Sequence, residues 1–328
     1  MFFVRITIII TILFCYNICM LLFWIAVFVI ALFILVKGSD WLLASAEKIG
    51  LKIGLSPFII GVTIVAFGTS FPELVSSFVA VTRGITEVVV ANAVGSNIAN
   101  ILLVLGVAAL ASNKLQVSKD LIDLDLPTVA IATVIFVFTT MDGMITFFEA
   151  IFLVITYIVY LGFSLAYKEK GSKEKVKKPK ITTTDLMMLV IGVIGLALGA
   201  KFLIDSIEAL SEILNIGTSL IAISAVAIGT SLPELIVSVK AAMRGQSEIA
   251  LGNIFGSNIF NVLMVVGLPG LFSNLVIDAQ TVSIGISFLI AATALFVISG
   301  ISRRIHAQEG ALYLLLYVIF ITKLFGLF

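Results

Sequence analysis

Two six-residue strings, GTSFPE at 68–73 and GTSLPE at 229–234, carry the chemistry of this chain. Each supplies a carboxylate (Glu73, Glu234) and two hydroxyls (Thr69 and Ser70, Thr230 and Ser231). Proline inside a helix lacks the N–H that would bond four residues back, and its ring pushes that carbonyl aside. Pro72 therefore frees the Gly68 carbonyl and Pro233 that of Gly229, and backbone oxygens around Ala66–Thr69 and Ala227–Thr230 can turn inward. Every one of these donors is oxygen. Without sulfur or imidazole, zinc, copper and iron are poorly served. Hard cations are well served, since calcium takes six to eight oxygens in flexible geometry. Two carboxylates balance one Ca²⁺, or most of the charge of two or three Na⁺.

The strings open two longer copies of one sequence. Residues 68–106 align without a gap to 229–267, an offset of 161 (229 − 68), with 20 of 39 positions identical. Both copies bury their acid in an apolar stretch, where an ionised side chain is unfavourable by roughly 2.5–3.5 kcal/mol on insertion scales. Two such acids at matching positions predict one shared site. Each copy continues into a second motif, GSNIAN or GSNIFN. Asn92, Ser96 and Asn100 are spaced four apart and fall on one helix face, as do Asn253, Ser257 and Asn261. Polar residues on an apolar helix must face protein or water. Ser96, Asn100, Ser257 and Asn261 are assigned to the site. Asn92, Asn253, Asn97 and Asn258 are read as structural, since amides also join membrane helices.

The elements that position these residues are membrane helices. With 61% hydrophobic and 12% charged residues and a mean hydropathy of +1.24, the chain is no ordinary soluble domain. A net charge of +1 argues against a nucleic-acid partner. Two cysteines, Cys15 and Cys19, give neither a disulfide framework nor a metal motif, and the lone His306 lies in a polar break. Apolar runs long enough to span a bilayer predict ten crossings, near 21–47, 57–82, 87–111, 121–140, 146–167, 183–211, 218–243, 248–272, 277–300 and 307–327. Lysine and arginine load alternate breaks: Lys48 and Lys52, Lys114 and Lys119, the run at 168–180, Arg244, then Arg303 and Arg304. That side is expected to be cytoplasmic, with both ends of the ten-span unit outside and Arg83 the main exception.

Five spans per copy is an odd number, so the second copy must enter the membrane upside down, an arrangement that places sites between the halves. The expectation is an all-α membrane protein of two inverted five-helix repeats, 20–167 and 182–328. A cytoplasmic lysine-rich hinge at 168–181 joins them. Residues 1–19 are apolar with no turn before Met20, and are read as an extension that contributes nothing to the site. Thr86-Glu87 and Ser247-Glu248 read as helix N-caps, Arg83 and Arg244 as cations at helix C-termini, and Asp40, Glu47, Asp205 and Glu208 as capping or snorkelling groups. A monomer in the lipid bilayer, without cofactor, is expected.

At the paired GTSxPE and GSN motifs the chain resembles the calcium/cation antiporter superfamily, in its sodium/calcium exchanger branch, over nearly all of 20–328. The resemblance implies four core spans (the second, third, seventh and eighth) around a cluster of sites, with the first and sixth spans sliding past them. It implies Na⁺/Ca²⁺ exchange by alternating access. Carried over by position, Glu73 and Glu234 bind Ca²⁺ with the Thr69 and Thr230 carbonyls. Ala66, Ser70, Ser96, Ala227, Ser231 and Ser257 complete flanking Na⁺ sites. Asn261, where some relatives have Asp, leans against potassium dependence. The proton/calcium branch has GNxxE in place of GTSxPE, so proton-coupled exchange of Ca²⁺ or another divalent cation is the runner-up. A passive channel would not require inverted halves, and no HExxH, GxSxG or paired-aspartate motif points to an enzyme.

Overall fold

The computed structural model describes residues 2–112, 114–116, 125–166, 179–213 and 231–326. Its helices are α1 (Phe2–Ile53), α2 (Pro57–Thr82), α3 (Glu87–Ser112), α4 (Leu126–Thr140), α5 (Phe147–Ala166), α6 (Thr183–Ile213), α7 (Leu232–Met243), α8 (Ser247–Gly270), α9 (Thr281–Ile301) and α10 (Ala307–Leu324). Among the described residues eight of these are long and apolar enough to cross a bilayer. α4 and α7 are shorter, at 15 and 12 described residues. The lysine-rich run at 168–178 and the predicted start of the seventh span lie outside the described residues. α1 is one unbroken helix from Phe2, so no turn separates the apolar extension from the first span.

The helices that carry the paired motifs are inside and the others line the outside. α2, α3 and α8 are buried along 67, 78 and 94% of their most apolar windows, against 11–39% for the other spans. Lipid solvates apolar side chains, so Phe138, Phe148 and Phe163 stay exposed on the peripheral helices. The helices that carry Glu73, Asn100 and Ser257 are enclosed by protein instead.

Close helix approach is built from small residues, as expected where no hydrophobic drive separates helix from lipid. A Cβ on Gly252 of α8 would lie 2.5 Å from the Phe58 carbonyl and 3.0 Å from the Gly61 Cα, so α2 and α8 touch backbone to backbone. α1 and α6 meet the same way. A Cβ on Gly38 would lie 3.0 Å from the Leu196 amide nitrogen, and one on Gly199 would lie 2.9 Å from that of Leu35. Gly38 and Gly199, like Leu35 and Leu196, are 161 apart, so this contact maps onto itself under the repeat offset.

Two short ribbons obey the same rule. One pairs Lys114 with His306 and Leu115 with Ile305. Shifted by 161, those pairs become Ile145 with Leu275 and Met144 with Val276, which is the second ribbon. Asn97 donates its amide to the carbonyl of its own repeat mate, Asn258, at 2.9 Å.

Some local expectations are corrected. Thr86 precedes α3, but its hydroxyl accepts the Val276 amide (3.3 Å) and does not cap the helix, while Ser247 is already the first residue of α8. Asp40 neither caps nor snorkels: it pairs with Lys240 (2.8 Å) and Arg244 (2.5 Å) of α7. Glu47 accepts from Gln246 at 2.8 Å. These partners are about two hundred residues away, and a single helix pattern carries no trace of them.

Candidate functional site

The second motif ends where the backbone widens. Wide, π-type turns occupy Gly61–Val65 in α2, Asn100–Val104 in α3 and Asn261–Val265 in α8. Such turns leave backbone groups out of step with their helix and recur at functional sites. Two of them start at the paired asparagines. The proline motifs differ between copies. Pro72 sits within a continuous helix, whereas Pro233 sits in the first turn of α7, and Ser231 before it is outside helical geometry at φ −89°, ψ 5°. Proline is tolerated at a helix start because its missing N–H would have no intrahelical partner there.

These elements bring a set of oxygens together. Ser70 donates to Glu234 Oε1 at 2.7 Å, and its oxygen lies 2.9 Å from that of Ser257. A hydroxyl has one proton, so with Ser70 donating to the carboxylate Ser257 supplies the proton between the two serines. Thr69 Oγ1 donates its one proton to Asn253 Oδ1 (3.0 Å), and lies 3.2 Å from the Ala66 carbonyl oxygen and 3.4 Å from Ser257 Oγ. Asn253 in turn donates to Ser238 at 2.9 Å. Residues from α2, α7 and α8 thus form one network across the repeat.

Both acids are buried, Glu73 and Glu234 each 1% exposed, and each feels the other's charge. Among the described residues neither oxygen of Glu73 has a hydrogen-bond partner, nor has Glu234 Oε2. The side chains of Ser231, Asn100 and Asn261 are also buried without partners, and so is Ser77 Oγ. Buried polar atoms are nearly always paired, because leaving a donor or acceptor unmet costs about 1–3 kcal/mol and more for a charged group. Three of these unmet atoms are carboxylate oxygens, and the others include two amide oxygens and two hydroxyls. That is the donor set a hard cation requires.

Ser96 and Ala66 are also buried. Ala227 and Thr230 lie outside the described residues. No group of three or more His, Cys, Asp or Glu that could hold a metal occurs among the described residues, so any ion here relies on two carboxylates and neutral oxygens. Sequence reasoning missed Ser77 and Ser238, four residues beyond the two glutamates, and it read Asn253 as structural. The signal was available, since Ser77 and Ser238 are identical positions of the repeat.

The family model for sodium/calcium exchanger proteins matches residues 23–166 and 184–326, nearly the whole chain. The chain belongs to the sodium/calcium exchanger family. Among its relatives is the sodium/calcium exchanger MaX1 of Methanosarcina acetivorans, 32% identical over 91% of this chain and 97% of that protein. The inner membrane protein YrbG of Escherichia coli is 29% identical over 92% and 97%. A solved structure of the sodium-calcium exchanger NCX_Mj, soaked with zero Na⁺ and Ca²⁺, superposes with a TM-score of 0.81 at 30% identity, covering 93% of this chain and 99% of that one. This member of the exchanger family is therefore a multi-pass integral membrane protein.

Proposed function

We propose that the chain exchanges Na⁺ for Ca²⁺ across the membrane by alternating access, through one site shared by Glu73 and Glu234. The reading is carried by the paired buried acids, three of whose carboxylate oxygens have no partner among the described residues. We assign Ser70, Ser231, Ser96, Ser257, Asn100 and Asn261 to the site as neutral ligands, with the backbone oxygens of Ala66 and Thr69 and, by repeat position, those of Ala227 and Thr230. Ca²⁺ and Na⁺ compete for the same carboxylates, so one displaces the other. A site left without cations holds two charges in a low-dielectric interior, which disfavours the crossing. Competition together with that penalty gives obligatory exchange in place of a leak.

The topology that serves this function is ten crossings in two inverted halves, 20–167 and 182–328, with both ends outside and the 168–181 loop cytoplasmic. The ribbons, which map onto one another at offset 161, and the α1–α6 contact, which maps onto itself, support it. Each chain carries both acids, so a monomer suffices. The test is divalent uptake into reconstituted vesicles under a sodium, then a proton, then a potassium gradient. Uptake of ⁴⁵Ca²⁺ driven by sodium, and shifted to much higher Ca²⁺ concentrations in Glu73→Gln and Glu234→Gln, is the expected result. Uptake that follows only the proton gradient would move the assignment to proton-coupled exchange, and uptake with no trans cation would mark a channel.

A further inference from the structure

We propose that Asn253 and Ser238 close the site on one side, and that Asn92 and Ser77 are the same device, standing open, on the other. The inference rests on the exchange reading and on the inverted halves above.

Ser238 lies four residues beyond Glu234, one turn along the same face of α7. Asn253 is fully buried and makes two hydrogen bonds, accepting from Thr69 at 3.0 Å and donating to Ser238 at 2.9 Å. The chain Ser238–Asn253–Thr69 therefore runs from α7 across α8 to α2, sealing the Ser238 side of the carboxylates. An ion leaving along α7 must part it.

The repeat mates 161 positions earlier behave differently. Asn92 is only half-buried, and its amide reaches the exposed hydroxyl of Ser76 at 3.4 Å. It leaves Ser77 Oγ buried without a partner among the described residues. The same two residue types at the same repeat positions are thus hydrogen-bonded to each other on one side and separated on the other.

A second asymmetry falls on the same side. Just past Ser238, Lys240 pairs with Asp40 and donates to the Val36 carbonyl at 2.7 Å, and Arg244 also pairs with Asp40. These contacts fasten α1 to α7. The mates of Asp40, Lys240 and Arg244 are Lys201, Val79 and Arg83, which contain no acid and can make no such ion pairs. With α2 and α7 antiparallel, one turn beyond Glu73 and one turn beyond Glu234 lie on opposite sides. The Ser238 side, facing the cytoplasm, is closed and bolted. The Ser77 side is the looser one. Reorientation breaks the Asn253–Ser238 bond and forms Asn92–Ser77. Asn253 acts through Thr69 and Ser238, so it is a positioning residue.

The test is the apparent KM for ⁴⁵Ca²⁺, measured separately at each face of vesicles of defined orientation. Apparent affinity scales with the fraction of protein open to the face tested. Ser238→Ala is expected to lower KM at the cytoplasmic face by about fivefold, the effect of one lost hydrogen bond on a minor population, and Asn253→Ala, which loses two, by at least as much, with KM at the outer face unchanged or raised. Asp40→Asn moves KM in the same sense, and Ser238→Thr, which keeps the hydroxyl, retains parent values. KM does not depend on how much protein folds, so poor expression leaves the test intact. KM values that shift alike at both faces, or stay fixed, overturn the closure while leaving exchange standing. Ser238→Thr behaving as Ser238→Ala overturns it too. Absence of sodium-driven flux in the parent overturns both readings.

Discussion

Glu73→Gln is the sharpest perturbation of the site, because it preserves volume and removes one charge. Among the described residues neither oxygen of Glu73 serves a hydrogen bond, so the substitution acts chiefly through the lost charge. A divalent cation about 4 Å from a unit charge is attracted by roughly 8 kcal/mol at an effective dielectric near 20, and a monovalent one by about half as much. Most of that gross term offsets dehydration of ion and carboxylate. Hydrogen bonds to charged groups, which survive the same offset, contribute about 1.5–3 kcal/mol. The expected loss for Ca²⁺ is therefore about 3 kcal/mol, near a hundredfold in apparent affinity. Halving the Coulomb term leaves Na⁺ with a loss of about tenfold. Tracer uptake gives KM for Ca²⁺, and inhibition of that uptake by cis Na⁺ gives the sodium affinity. A variant whose Ca²⁺ KM stays within threefold of the parent, or which loses Na⁺ binding as strongly as Ca²⁺, would refute the charge argument.

The same carboxylate is a liability to a cation-free fold. Glu73→Gln should raise the melting temperature of the chelator-treated protein and abolish most of the stabilisation that Ca²⁺ gives the parent, as read by thermal shift in detergent. At the α2–α8 contact, Gly252→Ala drives a Cβ to 2.5 Å from a backbone carbonyl and should destabilise by about 1–3 kcal/mol. It should weaken Ca²⁺ binding as well, since Thr69 and Asn253 meet across that interface. Gly95→Ala, whose Cβ meets nothing within 4 Å, should leave melting and KM unchanged and serves as its control. Asn97→Ala removes the donor to the buried Asn258 carbonyl and should lower stability by about 1–2 kcal/mol, seen in the denaturation midpoint, with little change in ion selectivity.

The glutamates and the hydroxyls beside them were legible in the sequence because duplication marks them twice and because an acid in an apolar run demands a reason. The span edges were legible for α2, α3, α5, α8 and α10, where hydropathy changes abruptly at Pro57, Glu87, Phe147, Ser247 and Ala307. What a residue touches was not legible. Asp40, Glu47 and Asn253 each find partners on distant helices, and hydropathy reports an environment without naming a neighbour. Nor could the wide turns at Asn100 and Asn261 be foreseen, since a π-type turn differs from an α-turn by one residue of hydrogen-bond register and leaves no compositional mark.

Duplication gives the site its two acids, but it cannot by itself give a cycle. Two identical halves in identical conformations would leave the path open, or shut, on both sides at once. Alternation needs the halves to differ at any instant, and the differences are on view. Pro72 lies inside a helix while Pro233 opens one, and Asn253 bonds Ser238 while Asn92 bonds Ser76 and not Ser77. If those pairs interchange, each half takes the other's conformation when the site turns over, and the two end states are near mirror versions with similar packing. The residues that break the symmetry, Asp40 against Lys201 and Lys240 against Val79, then set which state is preferred at rest. Reversing that bias should follow from charge alone: Asp40→Lys places two cations and the new lysine together, and should lower the cytoplasmic Ca²⁺ KM further than Asp40→Asn does. Adding Lys240→Asp restores an ion pair in the opposite sense and should return KM toward the parent value. If the double variant stays as shifted as Asp40→Lys alone, the ion pairs are bystanders and the resting preference is set elsewhere.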